Sequence, residues 1–194
     1  MTEIEKIRPA SADELRNDVK RQLGQLDPGL RVIAEDVMGL ASAIDLVAVD
    51  GRGEVVILML ALEGEDDAAL LTRTLAQRAW VAGRVRDWAK LAPELEIARD
   101  ARVRAILLAP AFGAETRAAA SSFRAGTLEL VRYVSLRVGG TRGLLLEPVG
   151  AGHSGRRSAP QPARRPGAPL PVFRSNLTDD DLGAKPAQDD RSRA

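Results

Sequence analysis

The sequence predicts an α/β domain, a mixed β-sheet flanked by helices, with a disordered C-terminal tail. Three observations carry this reading. Short apolar runs alternate with segments of helical periodicity. Two of those runs, in "AIDLVAVDGRGEVVILML" at 43–60, are separated by Gly51-Arg52-Gly53 and read as a hairpin. From Gly150 onward the chain becomes rich in Gly, Pro, Ser and Arg and poor in large apolar residues, so it cannot bury enough surface to offset the entropy of ordering. At 194 residues and 45% hydrophobic content there is material for one domain and its core, with residues to spare.

Residues 1–10 read as a flexible N-terminus, 11–149 as the folded domain and 150–194 as the tail. In 11–25, Ser11 is placed to cap a helix with Glu14 three residues on, and Leu15, Val19 and Leu23 recur at i, i+4 and i+8. Residues 30–38, 43–50 and 54–62 read as three successive strands. Residues 66–91 form the longest helical segment, with Asp66 and Asp67 near the positive end of its dipole. Then come a buried strand at 103–110, a helix at 113–123, and strands at 128–138 and 142–149 joined by Gly139-Gly140.

Composition narrows the function classes. Cysteine is absent, which excludes disulfides and thiolate chemistry, and any metal site must draw on carboxylates, carbonyls or His153. No apolar run approaches the roughly 20 residues of a membrane span, and "MTEIEKIRPA" lacks the pattern of a signal peptide. These features predict a cytoplasmic protein with no membrane partner. Of the 28 basic residues 24 are Arg, and Ala is abundant, a bias expected of a GC-rich bacterial genome. Residues 151–194 carry eight basic and five acidic side chains, which leaves 20 against 22 in residues 1–150. That mildly acidic balance argues against a strong grip on duplex nucleic acid, which rests on a basic excess. Gly51-Arg52-Gly53 joins two strands rather than opening a helix, so it is no phosphate loop.

Within the tail, 172–182 stands out, with Val172, Phe173, Leu177 and Leu182 around three Asp. It reads either as more disorder or as a short docking motif, for a partner or for the domain's own surface.

The order helix, three-strand meander, long helix and strand, together with "IDLVAVDGRGEVVILML", "AWVAGRV", "RAILLAPAF" and "LELVRY", resembles the PD-(D/E)XK, or restriction-endonuclease-like, superfamily. Within it, roughly residues 12–149 resemble the catalytic domain of the NucS-type DNA endonucleases. The resemblance implies a three-layer restriction-endonuclease-like fold and Mg²⁺-dependent cleavage by an Asp, a Glu and a Lys. If Asp50 pairs with Glu54, then Asp45 faces Met59, and Ala61 follows on the same face. An Asp, a Glu opposite and a Lys two residues on would converge there, two carboxylates for the cation and an ammonium for the attacking water. Only Asp45 matches. Met59 and Ala61 stand where the Glu and Lys are expected, so the resemblance points to a vestigial site with no cofactor.

The reading that follows is a catalytically inactive nuclease-like module that binds a nucleic-acid or protein partner. Its alternative is an active DNA or RNA endonuclease with Mg²⁺ held by Glu14, Asp36 and Asp45, Glu14 resembling the family's acidic helix residue. A third is a small-molecule sensor using a cleft lined by Met59 and Ala61. A charged residue inside an apolar strand needs a partner. Arg78 falls within the helical stripe of Leu71, Leu75, Ala82, Val85 and Ala89, and is expected to pair with Asp45 or Asp36. The candidate polar cluster is thus Glu14, Asp36, Asp45 and Arg78. Trp80 is expected on the exposed face of that helix and Trp88 in the core.

Overall fold

The computed structural model describes residues 3–150 and a two-residue strand further along the chain. In chain order the elements are β1 (Ile4–Ile7), α1 (Ala12–Gln22), β2 (Arg31–Met38), β3 (Ala43–Val49), β4 (Val55–Leu60), α2 (Asp67–Ala82), α3 (Val85–Leu91), β5 (Val103–Ala109), α4 (Ala114–Ser121), β6 (Leu128–Val138), β7 (Thr141–Val149) and β8 (Phe173–Arg174). α1 starts where the capping pattern places it, with Ser11 Oγ accepting from the Glu14 N–H. α2 starts at Asp66, whose carboxylate accepts from the N–H groups of Ala68 and Ala69.

The strands form one sheet in the order β1-β6-β5-β4-β3-β2-β8, with β7 also paired to β6. β4–β5, β5–β6 and β2–β8 are parallel and the other pairs antiparallel, so the sheet is mixed. Successive side chains of the central strands serve two cores. Val55, Ile57, Met59 and Ala61 pack with Leu70, Leu71, Val81 and Val85 of α2 and α3, whereas Val56, Leu58 and Leu60 pack with Leu15 and Val19 of α1. The result is a three-layer α/β fold. The run α1-β2-β3-β4-α2-α3-β5 keeps the order helix, three-strand meander, helical segment and strand that the sequence predicts.

Three features depart from the expectation. Residues 4–7, read as flexible, form β1 and pair Ile4 with Val138 through Ile7 with Ser135. β1 is held by its backbone ladder while its side chains stay largely exposed, so no burial pattern marks it. The segment 66–91 is two helices, because Gly83 ends the first and donates its N–H to the carbonyls of Ala79 and Val81. The buried residues of α2 are Leu70, Leu71, Thr74, Gln77 and Val81, a face centred away from Arg78 although it keeps Leu71 of the predicted stripe. Gln77 uses its burial: Oε1 accepts from the Leu40 N–H and Nε2 donates to the Ser42 carbonyl, fixing the β2–β3 turn on α2. The tail assignment at 150–194 otherwise lies outside the described residues. No helix among those residues is long and apolar enough to cross a membrane.

The β3–β4 register is the one read from the sequence, Leu46–Leu58 through Val49–Val55, with the Asp50 N–H donating to Glu54 O at 3.0 Å. At the turn, the buried Asp50 carboxylate accepts from the N–H groups of Arg52 and Glu54. Arg104 of β5 lies beneath it, with guanidinium nitrogens 3.4 Å from Asp50, 3.2 Å from Glu129, 3.6 Å from Asp27 and 3.9 Å from Glu54. Gly53 adopts φ 79°, and a Cβ there would lie 2.8 Å from the Ala98 nitrogen. Gly53→Ala is therefore expected to lower stability by roughly 1–2 kcal/mol in a urea titration. Gly64→Ala, at φ 93° but with nothing within 4 Å, should cost less in the same urea titration because it carries the strain without the clash.

Candidate functional site

The pairs Glu35–Leu46 and Val37–Ile44 bracket Asp36 and Asp45, which stand across from one another on β2 and β3. Strict alternation would send these two carboxylates to the face opposite Glu35 and Leu46. Instead Ala34 and Val37 pack toward α2, while Glu35 and Asp36 both reach α1 side chains. On β3, Ile44 and Val47 pack toward α2, whereas Leu46 joins the α1 core and Asp45 lies near Arg16. The break coincides with Asp36, whose φ is 50°. Asp is among the few residues that enter this left-handed region at modest cost. Its effect is to turn the Asp36 carboxylate toward α1, while Asp45 departs from alternation where the β3–β4 ladder stops short of it.

Arg16 of α1 meets them. One of its terminal nitrogens lies 2.6 Å from Asp36 Oδ2 and 3.0 Å from Asp13 Oδ1, and the other is 3.8 Å from Asp45 Oδ1. The second oxygen of Asp45 accepts from the Leu60 N–H at 2.9 Å, taking over where the β3–β4 ladder stops. One turn along α1, Lys20 Nζ donates to both oxygens of Glu35 at 2.9 and 2.8 Å. Burial pushes the Asp45 carboxyl above its ordinary value of 3.8, opposed by the Leu60 N–H and Arg16 and reinforced by the charge of Asp36. A carboxyl whose pKa is raised in the folded state favours folding most when protonated, and that contribution is lost as pH rises through the raised value. The stability of the wild type relative to Asp45→Asn should therefore increase as pH is lowered from 7, levelling off below about 3.9, the unfolded value. Urea titrations of both proteins across that range measure it.

The other residues named from the sequence are placed differently. Met59 and Ala61 are 2% and 1% exposed in the core beneath α2, on the face away from Arg16. The predicted register holds from Leu46–Leu58 to Val49–Val55 but the ladder stops short of an Asp45–Met59 pair, and Asp45 lies toward the face of Leu58 and Leu60, which are equally apolar. Their burial leaves no surface for a ligand cleft lined by Met59 and Ala61, so the sensor reading fails. Glu14 accepts from the Ala10 N–H and pairs with Arg142 of β7 at 2.6 Å. Arg78 donates Nε to the Val103 carbonyl at 2.8 Å rather than pairing with Asp45 or Asp36. Trp80 is half-buried, edge-on to Trp88 with centroids 6.2 Å apart, and Arg84 stacks over it at 4.0 Å.

The cation beside the two Asp is Arg16, which sequence reasoning passed over. The available signal was the pair Arg16 and Lys20, four residues apart and flanking the Leu15–Val19 stripe, matched by the consecutive acids Glu35 and Asp36 on the next strand. A Mg²⁺ site asks for several oxygen ligands around an open position. Here the guanidinium lies against both carboxylates, the neighbouring positions on that face are Leu58 and Leu60, and Glu14 is engaged elsewhere. Among the described residues no three His, Cys, Asp or Glu are grouped to hold a metal ion. The donor set does not fit the cation that the family resemblance implies.

Solved structures with a similar fold include a repair endonuclease from Pyrococcus abyssi, 16% identical over 66% of this chain and 49% of that one, with a TM-score of 0.47. Another is an EndoMS–dsDNA complex, 15% identical over 60% of this chain and 43% of that one, with a TM-score of 0.43. The chain spans about half the length of the first. No family model matches it, and no curated protein does.

Proposed function

We propose that this chain is a nuclease-like domain without catalytic activity, a binding or scaffold module that works in a bacterial cytoplasm with no metal cofactor. The observation that carries the proposal is Arg16, which supplies the positive charge between Asp36 and Asp45 that a catalytic cation would supply in an active relative. An internal cation of this kind holds the two strands and α1 together but offers no open coordination position for water or phosphate. The acidic balance of residues 1–150 favours a protein partner over nucleic acid, and the basic balance of 151–194 supports at most weak, salt-sensitive contact with phosphates.

The test is incubation of the full chain with supercoiled and single-stranded DNA and with RNA, in Mg²⁺ and in Mn²⁺. The expected result is intact nucleic acid at every enzyme concentration. Cleavage that disappears in Asp45→Asn would overturn the proposal in favour of a rearranged site built on Glu14, Asp36 and Asp45.

A further inference from the structure

β6 keeps β7 along one edge from Leu130 to Val138, and two strands share its other edge. β5 runs parallel to β6 and stops at Ala109, opposite Arg132, whereas β1 runs antiparallel and stops at Ile7, opposite Ser135. The carboxyl ends of β1 and β5 therefore approach each other head-on, and neither strand places a residue opposite Tyr133 or Val134. The sequence sets this stop. Pro110 follows Ala109 directly and Pro9 stands two residues after Ile7, and a proline has no N–H with which to continue a ladder. Where the two chains turn away, a cavity of about 290 Å³ opens between them and the loop that follows β4. The carboxyl ends of neighbouring parallel strands are where open α/β sheets hold ligands, and β4 and β5 are such a pair. Met59 and Ala61 are not among the residues that line this cavity.

Its walls carry opposite charges. Lys6 and Arg8 come from β1 and the residues just after it, and Glu63 and Glu65 come from the loop. Arg8 Nε reaches Glu63 Oε2 at 2.7 Å with both side chains at least half exposed, so this pair contributes little in water and exchanges readily for the charges of a ligand. Glu65 accepts from the Leu62 N–H at 3.1 Å, which holds the loop in place. Tyr133 donates its hydroxyl to the Ala61 carbonyl at 2.8 Å, and burial, reinforced by the charges of Glu63 and Glu65, pushes its pKa up to about 12. Both acids thus act on the interior of the cavity as well as on its mouth. Ser135 also lines the cavity, is 2% exposed, and has a hydroxyl with no hydrogen-bond partner among the described residues. A buried hydroxyl left unpaired is costly, and a polar ligand beside it supplies the missing partner.

A lone anion in this gap meets two glutamates, and a lone cation meets Lys6 and Arg8. A molecule that carries both charges meets each wall with the opposite sign. The volume is at the lower end for ligand pockets, which limits the occupant to a small molecule. We propose that the gap between β1 and β5 binds a small zwitterion of the amino-acid class, its carboxylate at Lys6 and Arg8, its ammonium at Glu63 and Glu65, and its apolar side chain against Ile7, Leu62 and Pro110. The site uses none of Arg16, Asp36 and Asp45, so it is present whether or not the domain cleaves nucleic acid.

Thermal melts of the full chain in about 10 mM of each common amino acid are the first test. At least one amino acid with an apolar side chain is expected to raise Tm by about 2 °C or more, while the amine and the carboxylic acid that share its side chain, each lacking one charge, leave Tm unchanged. Lys6→Ala and Glu63→Gln then locate the site. Both remove exposed charges outside the two cores, and each should weaken binding by at least about tenfold in an NMR titration with that amino acid. No shift with any amino acid overturns the proposal. An equal shift with the amine or the acid alone overturns it in favour of a site for a single charge, and binding unchanged in both variants overturns it by placing the ligand elsewhere.

Discussion

Arg104→Leu is expected to lower the stability of the domain by about 3 kcal/mol at pH 7, seen as a fall of roughly 6–12 °C in Tm. The argument rests on what the substitution leaves behind. Arg104 is 13% exposed at its side chain and faces Asp27, Asp50, Glu54 and Glu129, while the Asp50 side chain is only 3% exposed. Taking away the guanidinium leaves these acids close together in a poorly solvated place, which costs more than the pairing itself contributes. Asp50 keeps two backbone N–H donors and the half-exposed Arg52, so the loss should fall at the lower end of the range for a broken buried pair. Adding Asp50→Asn to Arg104→Leu should recover part of it, since an amide can accept the same backbone hydrogen bonds without a charge. If the double variant is no more stable than the single one, the loss has another origin.

Arg16→Ala is expected to cost about 2 kcal/mol, less than Arg104→Leu because Asp36 is 50% exposed and water screens it. Two further changes should accompany that loss. Without Arg16 the charge on Asp45 loses one of the two largest influences that hold its pKa down, so its titration should move further upward and the pH dependence of stability should steepen. The Asp36–Asp45 pair, no longer neutralised, should also gain affinity for a divalent cation. Arg78→Ala serves as the contrast. Its guanidinium bonds a backbone carbonyl, so its removal should cost about 1 kcal/mol and leave the Asp45 titration unchanged.

Much of the fold was legible because it depends on local, periodic signals. The Ser11 cap, the helix that follows it and the β3–β4 register could be read from the chain, and they hold. The face of Asp36 could not, because one residue with left-handed backbone breaks the alternation on which such a reading depends, and nothing in the pattern "RVIAEDVM" marks it; nor could that of Asp45, which lies just beyond the end of the β3–β4 ladder. β1 was missed for a different reason: its contribution is a backbone ladder, and exposed side chains carry no periodicity.

Arg104 was missed although the signal was present. "VRAILLA" sets one charge into an apolar strand just as "AIDLVAV" does, and the reasoning that singled out Asp45 applies to it equally. The helical stripe over 66–91 includes Arg78 and so points to the long helix for the partner of Asp45. The helix is broken at Gly83 and its buried side is centred away from Arg78, so the cation comes from the other layer.

Calorimetric titration of Mn²⁺ into the full chain and into Arg16→Ala tests most directly whether an internal arginine has replaced a metal. The account predicts no saturable binding to the wild type at millimolar Mn²⁺, and binding to Arg16→Ala that Asp45→Asn abolishes. Saturable binding to the wild type that is lost in Asp45→Asn would contradict it.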